Sequence, residues 1–312
     1  MKATAGAGWL AAAIALSHSY EVHAQTIEDG HLLAAHELRT GLSYTHDSWD
    51  EYWEGARKRV NGNIGTVTTR TASFNAAYGL TDKLDLFAIV PYVRTHASQG
   101  VLHDMEGFQD LTLAAKLQVL DKPFTAAGSL RAFGVVGGAV PLSDYTPDFM
   151  PLSIGSASER IFGRLTAHFA ATRGWFVTGT TAYTWRDNVR LDRSSYFTQN
   201  RLFLTNEVDL PNVFDYALTA GYSNASLMAS LSWSEQRTRG GGDIRRQDMP
   251  FVSNDMDLSR VSVGLEYALP ALPNLRLQLG YAYTLDGRNV GQASTATMGA
   301  TYRFDFDGGS EP

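Results

Sequence analysis

Residues 75 to 94 (NAAYGLTDKLDLFAIVPYVR) have the pattern of two β-strands joined by a tight turn, and this pattern recurs along the chain. Gly79 and Asp82 favour the turn because glycine accepts positive φ angles and aspartate can bond its own backbone. After the turn, apolar side chains occupy every second position from Leu84 to Tyr92. This alternation has the period of a strand and not of a helix. The sequence therefore predicts an all-β chain built from hairpins.

Clean alternation is strongest late in the chain, where Leu275 to Leu285 places leucine and tyrosine on one face and arginine, glutamine, glycine and threonine on the other. The same reasoning predicts about twelve strands, near residues 36–46, 66–79, 84–96, 107–119, 127–141, 158–172, 175–186, 212–222, 226–237, 257–269, 275–285 and 293–304. Residues Leu84 to Thr95 and Leu130 to Val140 are largely apolar on both faces, and a buried strand of a soluble sandwich would look the same.

The links between these strands alternate in length. Short turns are predicted at one end of the sheet, here called the turn end, and longer polar links at the other, the loop end. Aromatic residues cluster near both strand ends and belong to the apolar face. Both features are typical of a transmembrane antiparallel up-and-down β-barrel, in which two aromatic girdles border a lipid-facing band. The alternative, a soluble β-sandwich, would place its aromatic residues in mid-strand.

The chain ends predict export. Lys2, an apolar stretch from Trp9 to Leu16 and a small-residue site before Gln25 resemble a cleaved signal peptide over residues 1–24. We expect the barrel to span residues 25–306 and a short polar tail to follow at 307–312. The chain contains no cysteine, so neither a lipid anchor on cysteine nor a disulfide is predicted. A net charge of −6 argues against a nucleic-acid partner.

The run from Asn75 to Leu120 carries YGLTDKLDL, then IVPY, then GFQDLTLAAKL. This run resembles the phenol-degradation meta-pathway outer-membrane proteins, a family of transporter-like β-barrels. Gly107, Phe108 and Lys116 occupy recognisable places of the pattern, whereas Gln109 and Ala114 stand where glycine is common. The resemblance implies an outer-membrane barrel associated with the uptake of aromatic compounds.

If the apolar face meets lipid, the opposite face lines the lumen. Ionisable residues of that face are predicted to form a mostly basic constriction, with Glu266 able to pair with Arg276: Lys116, Arg164, His168, Arg260, Glu266, Arg276 and Arg303. Such a ring would attract anions such as aromatic carboxylates. A salt-bridged layer that fills the barrel is the alternative, because twelve strands lie between filled and open barrels.

The longest outer link, residues 187–211, is predicted to fold into the mouth as a gate through Tyr196, Phe197 and Phe203, or else to form a mobile cap. Basic residues of other loops are predicted to contact lipopolysaccharide phosphates: Arg57, Lys58, Arg59, Arg245 and Arg246. Four acidic residues between positions 47 and 54 match no calcium-loop spacing, so no metal site is predicted.

Catalytic signatures are not predicted, because no histidine lies in an H-x-S-N-G arrangement and no G-x-S-x-G elbow occurs. The sequence contains no cofactor fingerprint. We also expect no N-terminal hatch of the kind that plugs long-chain fatty-acid transporters, since only residues 25–35 precede the first strand. The predicted function is an outer-membrane channel for small aromatic or hydrophobic solutes, with membrane lipid, lipopolysaccharide and the barrel-assembly machinery as partners. A filled structural or surface-binding barrel is the alternative, and a membrane lipase is a more distant one.

Overall fold

The computed structural model describes residues 26–125, 128–244 and 251–305. The predicted signal peptide, Phe306, the predicted tail, Arg245 and Arg246 lie outside these residues. Among the described residues, no helix is long and apolar enough to cross a membrane.

Twelve antiparallel strands form one closed barrel in which each strand pairs with its sequence neighbours and the first strand pairs with the last. The strands are β1 (Glu37–Trp49), β2 (Val67–Thr81), β3 (Leu84–Ala97), β4 (Asp110–Thr125), β5 (Gly128–Pro141), β6 (Arg160–Ala171), β7 (Trp175–Arg186), β8 (Asn212–Ser223), β9 (Leu227–Arg239), β10 (Asp257–Leu269), β11 (Leu272–Arg288) and β12 (Ser294–Asp305). A short strand, Met105–Phe108, precedes β4 and extends the pairing with β3.

The predicted strand count is confirmed, and the predicted limits of β7 and β10 match those of the structure. The largest difference is at β4, which continues to Thr125 and not to residue 119. Two bulges, after Gln118 and after Pro123, shift the register there and let β4 and β5 stay paired beyond the predicted end. Long links lie at one end of the barrel and short turns at the other, as predicted.

The outer surface is apolar. Large exposed side chains come from the predicted apolar phase of the strands, among them Leu86, Leu165, Leu231 and Leu279. Aromatic rings contact one another near both ends of the strands, with Trp175 against Tyr222, Tyr302 against Phe304, Tyr183 against Trp185 and Tyr216 against Trp233. The polar side chains of the strands face inward, so the candidate functional residues lie in the lumen.

Candidate functional site: the barrel lumen

Residues Thr26 to Ala35, here called the N-terminal segment, lie inside the turn end of the barrel. Leu33 is 2% exposed and packs in one cluster with inward side chains of β2, β3, β4 and β5: Ala77, Phe87, Ala114 and Val135. Its backbone N–H donates to Asp85 Oδ2 at 3.0 Å. The prediction from the sequence concerned only a hatch like that of long-chain fatty-acid transporters, and it did not include the entry of this short segment into the lumen. A segment of only ten residues can stay docked in the lumen because it binds the wall through buried polar contacts and does not need a hydrophobic core of its own.

Two glycines make room for this segment. A β-carbon at position 30 would overlap the imidazole ring of His168. A β-carbon at position 79 would overlap the backbone carbonyl of Ala34. The segment therefore lies close against the wall at two places, where Gly30 meets His168 and where Ala34 meets Gly79.

Ion pairs join the N-terminal segment to two of the predicted lumen residues. Lys116, whose side chain is fully buried, donates to Asp29 Oδ1 at 2.7 Å and to the Thr26 carbonyl at 3.0 Å. Arg164 Nη2 lies 2.9 Å from Glu28 Oε1. The segment thus supplies one carboxylate partner to each of these two cations. These carboxylates partly neutralise the predicted basic ring and so weaken its attraction for anions.

On the opposite side of the lumen, Arg276 Nη1 donates to Glu266 Oε1 at 2.6 Å, and both side chains are buried. This pairing was predicted from the sequence. Arg303 donates to Asn274 Oδ1 at 3.1 Å, and Arg260 is half-buried on the same face of β10 as Glu266.

His168 is 1% exposed and lies between the wall and the N-terminal segment. Its Nδ1 is 2.7 Å from Thr178 Oγ1, and its ring lies edge-on to His31 with the centroids 5.0 Å apart. A further contact, at 5.6 Å between centroids, is made with Phe176. The structure therefore places this histidine in a packed contact with the N-terminal segment.

A cavity of about 340 Å3 remains between the segment and the wall formed by β7 to β12. Four small residues lie side by side in one register row of this wall: Ser230, Gly264, Gly280 and Thr297. The other lining groups include hydroxyls and an amide, from Thr178, Thr219 and Gln278, beside the apolar Phe176 and Met228. Charged and ionisable residues also line the cavity: Glu28, Asp29, His31, His168 and Glu266. The cavity exists because the inner positions of adjacent strands carry almost no side chain at this level.

The loop end of the lumen is partly filled by the link between β5 and β6. Leu152 is fully buried against Ile64 and the inward Val67 of β2, and its carbonyl accepts a hydrogen bond of 2.6 Å from Thr95 Oγ1 on β3. Tyr145 OH donates to Asp110 Oδ1 at 2.7 Å. Burial and this hydrogen bond raise the pKa of Tyr145, so the phenol stays a neutral donor.

The predicted gate residues lie in a neighbouring loop that packs on itself. Tyr196 is buried, and its ring stacks on Phe203 with centroids 4.9 Å apart. Tyr196 belongs to a cluster with Val208, Leu210 and Val252, a residue of the link before β10. Phe197 is half-buried on the other face of its short strand. The structure thus brings two of the three together, in a cap made by several loops.

Two of the acidic residues near position 50 pair with the basic run that follows them. Lys58 lies 2.6 Å from Glu51, and Arg59 pairs with Glu54, in the hairpin of Glu51–Glu54 and Arg57–Val60. These basic side chains therefore already have carboxylate partners.

Sequence reasoning missed several charged residues of the lumen, among them Glu28, Asp29, Glu37, Arg39 and Asp85. Arg39 Nε donates to Glu37 Oε1 at 2.6 Å with both side chains buried, and Asp85 is fully buried. The last three stand in the inner phase of β1 and β3, so extending the alternation rule to those strands would have found them. No local pattern marks Glu28 and Asp29.

A closed antiparallel barrel with an apolar, aromatic-bordered outer surface and a polar interior defines the class of transmembrane β-barrels. Among solved structures, the chain is similar to an outer membrane channel from Pseudomonas putida F1, with a TM-score of 0.71, 16% identity and coverage of 91% of this chain and 100% of that one. At this identity the likeness shows the fold alone.

Other solved structures resemble the chain more weakly, with TM-scores below 0.5. They include the NanC porin (TM-score 0.45, 10% identity, covering 86% of this chain and 99% of that one) and the TodX monoaromatic hydrocarbon channel (TM-score 0.41, 12% identity, covering 88% and 91%). No protein-family model matches the chain, and no curated protein matches it. The family resemblance seen in the sequence therefore stays a prediction.

Proposed function

We propose that the chain is an outer-membrane channel for the passive uptake of small solutes, aromatic or otherwise hydrophobic ones among them. The observation that carries this proposal is the row of Ser230, Gly264, Gly280 and Thr297, which lines a cavity beside the N-terminal segment. A barrel built only for structural support has no need to keep four adjacent inner positions this small. The cavity of about 340 Å3 is within the usual range of small-molecule sites.

The carboxylates that line the cavity, and the ion pairs around it, favour uncharged solutes over anions. Lys116, Arg164 and Arg276 are each bonded to a carboxylate, so an entering anion would meet pairs and not bare cations. Hydroxyl and amide groups beside Phe176 and Met228 suit a solute with an apolar ring and one or two polar substituents. Relative to the sequence prediction, the proposal thus moves from aromatic carboxylates towards neutral aromatic compounds.

A filled barrel with a structural or surface-binding role is the second candidate. The N-terminal segment supports it, because the segment occupies one side of the lumen and is held by buried ion pairs. On this view the cavity is a packing defect that leads nowhere.

Solute flux into proteoliposomes distinguishes the two candidates. The solutes are a small sugar, a benzoate-like anion and a neutral hydroxylated aromatic compound, each compared with empty liposomes because neutral phenols cross lipid unaided. Folding is verified by heat-modifiable gel mobility. A channel raises flux above the control, and more for the neutral compound and the sugar than for the anion. No excess flux of any solute from a folded barrel would favour the filled barrel.

A further inference from the structure

We propose that the outer face of β1, β2 and β3, at the loop end, binds the phosphorylated headgroup of an outer-leaflet glycolipid through Arg70 and Arg94. The proposal rests on the outer-membrane location proposed above, but not on solute passage through the lumen. It differs from the sequence prediction, which assigned lipopolysaccharide contacts to loop residues.

An aromatic row marks the membrane interface on this face. Tyr44 on β1, Tyr92 on β3 and Phe108 lie in one register row, joined through Ala72 on β2. All three rings point outward and are exposed, and Tyr92 and Phe108 contact each other edge-on at 5.3 Å. Aromatic rings prefer the headgroup level of a bilayer, so this row fixes the depth of the strands in the membrane.

A row that contains two arginines lies two residues, or about 7 Å of strand, beyond the aromatic one. Its members, in register order, are His46, Arg70, Arg94 and Glu106. Because side chains alternate across a strand, this row faces the same way as the aromatic row. The guanidinium groups are therefore held at the depth of the headgroup phosphates.

Arg70 and Arg94 stand directly opposite each other on neighbouring strands. Like charges in this position repel and destabilise a sheet unless an anion lies between them. Within the described part of the chain no carboxylate pairs with Arg70, whereas Arg94 Nε forms an exposed ion pair of 3.6 Å with Glu106 Oε2. The sheet thus presents a geometry that an external anion would stabilise.

The two arginines line a shallow cavity of about 240 Å3 together with Thr68, His96 and Asp104. Asp104 is engaged by His96, whose Nδ1 lies 2.8 Å from Oδ1. The remaining groups are a hydroxyl and two guanidinium groups, of which that of Arg94 also pairs with Glu106. Guanidinium forks match the geometry of phosphate oxygens. Continuity with the aromatic row argues for a lipid phosphate, since acyl chains below would lie on the apolar band.

Native mass spectrometry of the detergent-solubilised full chain tests this assignment. The probe is bisphosphorylated lipid A, compared with chemically dephosphorylated lipid A. Variant R70Q/R94Q is matched by K83Q/R173Q, which removes the same charge from exposed residues at the turn end. Because Arg70 and Arg94 are exposed and repel each other, their replacement should not impair folding, and the single variant R94Q serves as a second test.

We expect R70Q/R94Q to lose about tenfold or more of its affinity for bisphosphorylated lipid A, down to the level of the dephosphorylated lipid, and R94Q to lose part of it. The turn-end variant should bind like the unaltered chain. Equal binding by R70Q/R94Q and the unaltered chain would overturn the proposal. Full competition by inorganic phosphate at the concentration of the lipid would also overturn it, because the site would then recognise a free anion and not a headgroup.

Discussion

The carboxylate of Asp29 lies 2.7 Å from the ammonium of Lys116, and this ion pair joins the N-terminal segment to the barrel wall. Lys116 is fully buried, whereas the Asp29 side chain keeps about a fifth of its surface exposed. The two partners therefore differ in what their removal costs. A buried charge without its partner is expensive, and a carboxylate that already reaches water is not.

Asp29→Asn should release the N-terminal segment more readily than Lys116→Met. The first change strands a buried ammonium and should cost about 3 kcal/mol of docking free energy, or roughly a hundredfold in the population of the released segment. Methionine keeps the aliphatic bulk of Lys116 and should cost less. The labelling rate of an Ile27→Cys thiol by a water-soluble maleimide measures release, since the chain has no other cysteine. Equal rates in both variants would contradict the asymmetry.

Gly30→Leu should expel the segment by steric overlap, because even a β-carbon at this position meets the His168 ring. Gly134→Leu is the matched control, since nothing lies within 4 Å of a β-carbon there. We expect fast labelling at Ile27→Cys in the first variant and the parent rate in the second, with both barrels retaining heat-modifiable mobility. Slow labelling in Gly30→Leu would mean that the segment docks elsewhere or that the His168 side chain moves aside to accommodate the leucine.

Ion selectivity should move in opposite directions when the two sides of the Glu266–Arg276 pair are neutralised. Arg276→Gln with Arg303→Gln removes positive charge from the lumen and should weaken any preference for anions. Glu266→Gln leaves Arg276 charged and should strengthen it. Reversal potentials in a salt gradient measure the preference. Unchanged selectivity in the folded double variant would show that these arginines do not face the conducting path.

Phe203→Ala should loosen the loop between β7 and β8, because it removes the ring that stacks on the buried Tyr196. The local cost should be about 2 kcal/mol. Trypsin cleavage after Arg190, Arg193 or Arg201 should therefore accelerate, while Phe197→Ala, outside the cluster, changes it little. A rise in solute flux along with cleavage would support the predicted gate. Faster cleavage with unchanged flux would show that the loop covers the mouth without controlling solute passage.

The barrel itself was predictable because the membrane imposes a rule on every strand. Apolar side chains must alternate with polar ones, so Leu279 and Gln278 could be assigned to opposite faces without any knowledge of the fold. Glu266 and Arg276 lie on the same face of neighbouring strands linked by a short turn, where they are diagonal neighbours, so their ion pair could be predicted.

The N-terminal segment was not predictable by the same means. Asp29 meets Lys116 across 87 positions of sequence, and such a polar contact leaves no periodic signal in either stretch. The mouth shows the same limit. The grouping of aromatic residues between positions 187 and 211 was visible, but the deep burial of Leu152 depends on contacts with β2 and β3 that only the closed barrel creates.

Single-channel recording of the unaltered chain, Gly30→Leu and Gly134→Leu in planar bilayers tests the channel proposal most directly. If the lumen conducts beside the N-terminal segment, the unaltered chain and Gly134→Leu should show the same small conductance. Gly30→Leu should then show a larger one, because expulsion of the segment widens the path. Silence from all three folded proteins, with the segment of Gly30→Leu shown by labelling to be released, would contradict a conducting lumen.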